Sequence, residues 1–349
     1  MIALNRKDGI GDVDPGHRLP ELVGEGQCMR DLRSRITSIG NHNCTALILG
    51  ESGTGKELVA RHIHASSPRS AAPFVIADCT ALPDSLFESQ LFGHVKGAFT
   101  GADHSTLGLF RAAKGGTLFI DEIGELEMHM QAKLLRCIQE RSVLPVGAVE
   151  PVQADVRIIA ATHRDLKEMV EQGRFREDLY YRLDVVRVEV PPLRIRQGDV
   201  AHLAKHFLEE VSERYGVSEK DFHPEAMEAL EVYGWPGNVR ELRNVIDSAT
   251  VLSTSDHLTL ADLPEALRHN THRKLEDSNG FGVQARVQIR PLHVVERCLI
   301  EQALQVTKGN KSRAAQLLGV ERHRLSRMID RHGLTAYLNS IRWPTTLVV

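Results

Sequence analysis

The residues Gly50–Glu57, GESGTGKE, decide how the rest of this chain is read. They lie between an apolar run, Thr45-Ala46-Leu47-Ile48-Leu49, and a segment of helical character, Leu58-Val59-Ala60-Arg61-His62-Ile63. Strand, glycine-rich loop and helix, in that order, bring loop amides and a helix N-terminus together on phosphate oxygens. Gly50, Gly53 and Gly55 let the backbone approach a phosphate with no Cβ in the way. Glu51, Ser52 and Thr54 share the loop, and Lys56 would reach the β- and γ-phosphates of a nucleotide. Glu57 stands where Ser or Thr usually offers a hydroxyl to magnesium. The reading is a nucleotide-binding α/β core.

A chain of 349 residues suggests two or three domains, because single cores rarely grow beyond about 250–300 residues. Its five cysteines, Cys28, Cys44, Cys79, Cys137 and Cys298, have no C-x-x-C or metal-ligand spacing and read as reduced thiols of a cytosolic protein. No apolar run approaches the roughly 20 residues of a membrane helix, and the start lacks the apolar core of a signal peptide. Val287–Val349 holds ten Lys and Arg against four Asp and Glu, a surplus of six on a chain of net charge −3. A basic C-terminal piece on an acidic body points to an anion-binding module, with nucleic acid the first candidate.

Met1 to about Pro20 reads as a polar tail, and Leu32, Ile36 and Ile39 suggest that Leu22–Ile39 is a helix leading into the first strand. Phe74–Asp78 reads as a second strand, and Asp84–Phe92 as a helix with Leu86, Phe87 and Leu91 inward. Gly93-His94-Val95-Lys96-Gly97-Ala98-Phe99-Thr100-Gly101-Ala102 is either a mobile loop presenting one aromatic, Phe99, and one hydroxyl, Thr100, at its tip, or a turn whose Phe tucks into the core. Gly115–Glu122 is a strand ending in two carboxylates, at the edge where parallel sheets place their ligands. There Asp121 would hold magnesium, directly or through water, and Glu122 would polarise an attacking water. Met130–Arg141 continues as a helix. Val156–Ala161 is a strand ending at Thr162 and His163, where His163 is either a γ-phosphate sensor or a surface group. Arg176 and Arg182, on a short helix before the strand Val185–Val190, are either surface charges or groups that stabilise transition-state charge on a neighbouring subunit's nucleotide.

Asp199–Tyr215, Pro224–Val232 and Val239–Leu252 carry helical spacing and suggest a small all-helical lid, with Arg240 placed to fold back on the phosphates. Arg268 to about Gly282 reads as a linker, and Leu292–Val306 as an amphipathic helix. Asn310 is a candidate N-cap for Lys311–Leu318, and Arg322–Arg331 forms a last helix after Gly319. Ala314, Ala315, Leu317, Leu318, Val320, Leu325 and Ile329 would pack inward. Lys311 and Arg313, with Arg322, His323, Arg324, Ser326 and Arg327, would then face outward, as in a helix-turn-helix or, more plainly, a helical hairpin. Tyr337–Val349 is an apolar tail with no evident role.

With these residues in place, the chain from about Leu19 to Gly333 resembles the bacterial enhancer-binding proteins that activate sigma-54 RNA polymerase. Gly97–Ala102, GAFTGA, matches that family's signature loop, and GESGTGKE matches it too, Glu57 included. The resemblance implies an AAA+ ATPase with a Fis-type helix-turn-helix, using ATP and Mg2+. It implies a polar tail over 1–20, an α/β P-loop core over 21–192 and a helical lid over 193–267. A linker over 268–286, a DNA-binding domain over 287–335 and a tail over 336–349 complete it.

Gly97–Ala102, through Phe99 and Thr100, would touch sigma-54 in the polymerase holoenzyme. Asp121 and Glu122 would be the magnesium-associated and catalytic carboxylates, and Thr162-His163 the first sensor. Arg176 and Arg182 look like fingers acting across the boundary of a homo-oligomer, expected to be a hexamer. Arg240, in WPGNVREL, looks like the second sensor. The partner DNA would be double-stranded and upstream of promoters.

Three departures stand out. Many members have Asn where this chain has Asp78, and that Asn holds the catalytic glutamate. Two carboxylates in contact resist double ionisation, so the expectation is a raised pKa in one of them and a pH-sensitive resting state. Thr is common where Arg324 stands. The chain also resembles stand-alone members, without a receiver domain, that answer to a separate regulatory protein or to their own abundance. Competing readings are a DNA binder with a vestigial ATPase core, or another AAA+ machine such as a helicase loader. Intact Lys56, Asp121 and Glu122 argue against the first, and the GAFTGA loop against the second.

Overall fold

The computed structural model describes residues 19–268 except 197, 217 and 219, and residues 296–335 except 298, 301, 302, 305, 306, 308 and 321. The chain divides into two compact units, Met1–Ser278 and Asn279–Val349. In chain order the first opens with α1 (Gln27–Gly40), β1 (Ala46–Leu49), α2 (Lys56–Ala65), β2 (Phe74–Asp78), α3 (Asp84–Phe92) and α4 (Leu109–Ala112). It continues with β3 (Thr117–Asp121), α5 (Met128–Glu140), β4 (Ser142–Val143), β5 (Val152–Gln153) and β6 (Arg157–Thr162). Then come α6 (Leu166–Glu171), α7 (Glu177–Leu183) and β7 (Val186–Glu189).

Five of these strands form one parallel sheet in the order β2-β3-β6-β1-β7. Four of them, β1, β2, β3 and β6, are nearly continuous apolar runs, as expected of strands covered on both faces, while the edge strand β7, VRVE, leaves Arg187 and Glu189 exposed. Met29, Ile36, Val59 and Ile63 of α1 and α2 fill one face, and Phe87, Leu134 and Leu179 of α3, α5 and α7 the other. The parallel register sets Asp78 beside Asp121 and Leu49 beside Thr162. All the strand-end groups named above therefore reach one edge of the sheet.

Arg157 is a buried cation at the opposite, amino-terminal edge. It donates to the carbonyls of Ile39 and Cys44, at 2.9 and 3.2 Å, so it closes the C-terminus of α1, where unpaired carbonyls concentrate negative charge. Two expectations about faces change. Helix α1 starts at Gln27, not Leu22, because the chain before it runs extended. Leu86 is exposed on α3, since Phe87, Leu91 and Phe92 take the inner side and leave it on the far one.

The lid is α8 (Asp199–Tyr215), α9 (Pro224–Val232) and α10 (Asn238–Leu252), gathered round a fully buried Trp235 whose indole N–H donates to Leu230 O at 2.9 Å. It is not all helical. A short parallel pair, β8 (Asp221–Phe222) with β9 (His257–Leu258), joins its ends by burying Phe222 and Leu258. A buried ion pair, Arg196 Nε to Asp199 Oδ2 at 2.9 Å, fixes the lid's first turn, and Asp199 also accepts from Glu25 N at 3.0 Å. The segment before α1 is thereby strapped to the lid.

In the second unit Ile300, Ala303 and Leu304, all helical, pack against α11 (Lys311–Leu317) and α12 (Arg322–Arg331). The Asn310 side chain accepts from the N–H groups of Ser312 and Arg313, so the expected cap is present. Ala314, Ala315, Leu325 and Ile329 are buried, but Leu317 is exposed. At 100° per residue it lies roughly 110° from the centre of the face formed by Ala314, Ala315 and Leu318. The first 18 residues, the linker beyond Arg268, most of the expected helix over 292–306 and the apolar tail lie outside the described residues.

Candidate active site

The phosphate loop turns on Gly53 and Gly55, whose φ values of 77° and 97° suit glycine. A Cβ on Gly53 would stand 2.3 Å from Gly237 O, so the loop and the lid are in backbone contact there. Thr54, buried, donates its hydroxyl to Glu51 O at 2.8 Å and closes the loop from within. Lys56 is only 6% exposed. Its ammonium donates to Gly50 O and to Glu122 Oε1, each at 3.1 Å.

Glu122 directly follows β3 and lies in the left-handed region, φ 51° and ψ 49°, a conformation that costs a non-glycine residue about 1–2 kcal/mol. That backbone turns its carboxylate inward, between Lys56 and β6. Oε2 accepts from the His163 ring Nδ1–H at 2.7 Å and from the His163 backbone N–H at 3.2 Å. Burial raises the Glu122 pKa, but the bonds from His163 and Lys56 outweigh it and leave it below the usual glutamate value. Asp121 behaves oppositely: burial and the adjacent Glu122 anion push its carboxyl up, against the attraction of Lys56. A half-buried carboxylate kept from ionising comfortably is one whose charge a cation would relieve, so Asp121 fits magnesium. Glu57 does not face the site. Its exposed carboxylate pairs with Arg61 at 2.8 Å, one helical turn on.

Other groups close over the loop from the lid. Arg240 donates from its guanidinium to Ser52 Oγ at 2.9 Å and from its backbone to Gly53 O at 3.2 Å. Glu51 accepts two bonds from Arg194, at 2.6 and 2.7 Å, and one from Asn238 at 3.1 Å; Arg194, ahead of Asn238, holds the Glu51 carboxyl below its ordinary value. Asn238 is buried with φ 53°, and its amide also donates to Ser52 O and accepts from Leu193 N. Sequence reading missed Arg194 and Asn238. The one signal for Asn238 is that Asn is among the few residues that adopt a left-handed backbone readily. Thr162 is buried, with its hydroxyl accepting from Arg164 N at 3.0 Å.

Arg176 and Arg182, expected to act as fingers, stand apart from this site. Arg182 lines a cleft of about 220 Å³ with Thr45, Arg141 and Arg157, at the amino ends of β1 and β6. It is exposed and has no ion-pair or hydrogen-bond partner among the described residues. Arg176 is committed to Asp178 through bonds of 2.7 and 3.0 Å.

The segment Gly97–Ala102 forms a tight surface turn, closed by Gly97 N–H donating to Ala102 O at 2.9 Å. Ala102 is buried, while Phe99 is 41% exposed with its ring centroid 5.0 Å from that of His94. Phe99 is thus outside the core, lying against its own loop base, and Thr100 is exposed. On α12, Arg322, His323, Arg324 and Arg327 are exposed and Ser326 is half-buried; on α11, Arg313 is exposed and Lys311 half-buried.

Comparison with known proteins bears on this arrangement. Residues 22–189 match the sigma-54 interaction domain, 194–279 the AAA+ ATPase lid domain, and 291–332 the bacterial regulatory protein Fis family. The transcriptional regulatory protein ZraR of Escherichia coli K12 is 50% identical over 310 residues, which span 89% of this chain and 68% of ZraR. NtrC of Klebsiella pneumoniae is 43% identical over 330 residues, spanning 90% of this chain and 70% of NtrC. This chain belongs to the sigma-54-dependent transcriptional activators. It is an AAA+ ATPase of that family carrying a DNA-binding Fis-type helix-turn-helix. Crystal structures of NtrX from Brucella abortus, solved with ADP and with ATP, superpose with TM-scores of 0.67 and 0.66 at 32% and 33% identity. They cover 91% and 90% of this chain and 70% of NtrX in each case. Among the described residues, no helix of the activator is long and apolar enough to cross a membrane.

One site expectation is corrected. Asp78 does not touch Glu122. Its Oδ1 accepts from the Thr80 N–H at 2.8 Å and the Thr80 hydroxyl at 2.7 Å, closing the turn after β2. An ionised carboxylate cannot donate to another, so the local turn wins. The opposed carboxylates of this activator are Asp121 and Glu122, and the raised pKa falls on Asp121, chiefly through burial and the Glu122 anion, with Asp78 the smallest contributor. Asp78→Asn should therefore leave the pH–rate profile of ATP hydrolysis in place, within about 0.3 pH unit in steady-state assays. A larger move would mean that Asp78 reaches Glu122 during turnover.

Proposed function

We propose that this activator binds ATP with Mg2+ at Gly50–Lys56 and assembles as a ring-shaped homo-oligomer, with a hexamer as the expected form. It would use turnover to press Gly97–Ala102 against sigma-54 holoenzyme while its C-terminal domain holds upstream double-stranded DNA. The 3.1 Å contact between Lys56 and Glu122 carries the reading, because it brings the phosphate-binding cation and the base to one point from two separate strand ends.

In this scheme loop amides from Gly50 to Gly55 and the Lys56 ammonium bind the phosphates, and Arg240 senses them from the lid. Asp121 would hold the magnesium ion, which supplies charge neutralisation on the phosphoryl oxygens. Glu122 accepts the proton of the attacking water, and Thr162 and His163 form the first sensor of the γ-phosphate, with His163 also bonded to the Glu122 carboxylate. Arg182, and Arg176 once freed from Asp178, reach a neighbouring subunit's nucleotide. Arg182 lies at the sheet edge remote from its own phosphate loop, which supports action between subunits. Lys311, Arg313, Arg322, His323, Arg324, Ser326 and Arg327 supply phosphate and base contacts to DNA.

Thr100 is exposed at a turn far from the phosphates, so its loss should spare hydrolysis and remove the contact with sigma-54. For Thr100→Ala we expect ATP turnover within about twofold of the parent and open-complex formation reduced by more than about a hundredfold. Paired ATPase and promoter-opening assays test this. Normal promoter opening by that variant refutes the loop's role.

A further inference from the structure

We infer that His163 is the positioning residue that parks Glu122 in the resting enzyme, and that letting go of this imidazole is what arms the carboxylate. The inference rests on the reading of Glu122 as general base and adds to it the residue that restrains it.

The resting Glu122 has both oxygens occupied. Lys56 takes Oε1, while the ring and the backbone N–H of His163 both take Oε2. Incoming phosphates compete with Glu122 for the charge of Lys56, whose ammonium already commits two of its three N–H bonds, to Gly50 O and to Glu122 Oε1. Nucleotide therefore frees Oε1 without any further device. Oε2 stays held, because His163 comes from β6 and does not belong to the phosphate loop. The 2.7 Å ring bond is short for N–H···O and has an ionised acceptor, which marks it as the stronger of the two.

Among the described residues no other side chain holds Oε2. Asp78, on the adjoining strand, is turned to Thr80 and has no proton to donate in its ionised form. Thr162 accepts from Arg164. The Asp121 carboxylate accepts from the Glu122 backbone N–H at 3.0 Å and has no donor of its own. Restraint of the base therefore concentrates in one imidazole. That ring is 43% exposed at the sheet edge, where movement of a neighbouring segment can displace it.

The test is steady-state ATP hydrolysis by the full chain, without sigma-54, for His163→Ala, His163→Asn and Glu122→Gln, with kcat and KM measured separately. His163→Ala should raise kcat roughly tenfold at an unchanged KM, the scale of losing one hydrogen bond to a charged group. His163→Asn should stay within about twofold of the parent, because its amide nitrogen can donate from the place of Nδ1. A side chain needed only for folding would lower both variants together and alter the melting temperature. An unchanged or lowered kcat in His163→Ala overturns the inference, as does an asparagine variant that behaves like alanine. Retained turnover in Glu122→Gln overturns the prior reading of the base itself.

Discussion

Glu122→Gln is expected to lower ATP turnover by about 10²–10⁴-fold, the range that general-base catalysis contributes, with nucleotide binding retained or tightened. The argument for loss is chemical: an amide cannot accept the water's proton. The argument for retained binding comes from the resting contact. Lys56 is nearly buried, and its carboxylate partner competes with arriving phosphates for its charge. Removing the carboxylate's charge removes that competition, so the variant's affinity for ATP should not fall. Turnover measured beside equilibrium binding of a fluorescent ATP analogue separates the effects. A variant that keeps more than a tenth of parental turnover, or that loses binding in step with turnover, contradicts the assignment.

How far the chain could be read in advance follows from how local each signal is. The strands β1, β2, β3 and β6 are continuous apolar runs closed by polar residues, so their ends, and with them Lys56, Asp121, Glu122 and His163, could be placed on one sheet edge. Which of these groups would bond could not be placed. That choice depends on the left-handed backbone of Glu122, which no residue type signals, and on Asp78 finding Thr80 two residues away. The lid latch is remote in sequence, with Glu51 meeting Arg194 across 143 positions and Asn238 across 187. Periodicity located α3 and α11 but misplaced Leu86 and Leu317, because an apolar residue just off the inner face keeps the same spacing as one on it. The pair β8–β9 is two residues a side, too short for any period to reveal.

Arg182→Ala is expected to reduce turnover by about 10³-fold or more, as loss of an arginine finger does elsewhere, without weakening ATP binding to the altered subunit itself. Its guanidinium lines a cleft with Thr45 and Arg157, at the opposite sheet edge from the phosphate loop, and among the described residues it has no partner to leave. Arg176 must first break two bonds to Asp178, so Arg176→Ala should cost less, on the order of tenfold. Mixing supplies the decisive measurement. Rings made only of Arg182→Ala subunits lack the finger, and rings made only of Glu122→Gln subunits lack the base. Wherever a Glu122→Gln subunit lends its intact Arg182 to an Arg182→Ala neighbour, one complete site is rebuilt. Turnover should therefore reappear on mixing two inactive proteins, peaking near equal proportions. If it does not reappear while the two co-assemble, Arg182 acts within its own subunit and the shared-site arrangement is wrong.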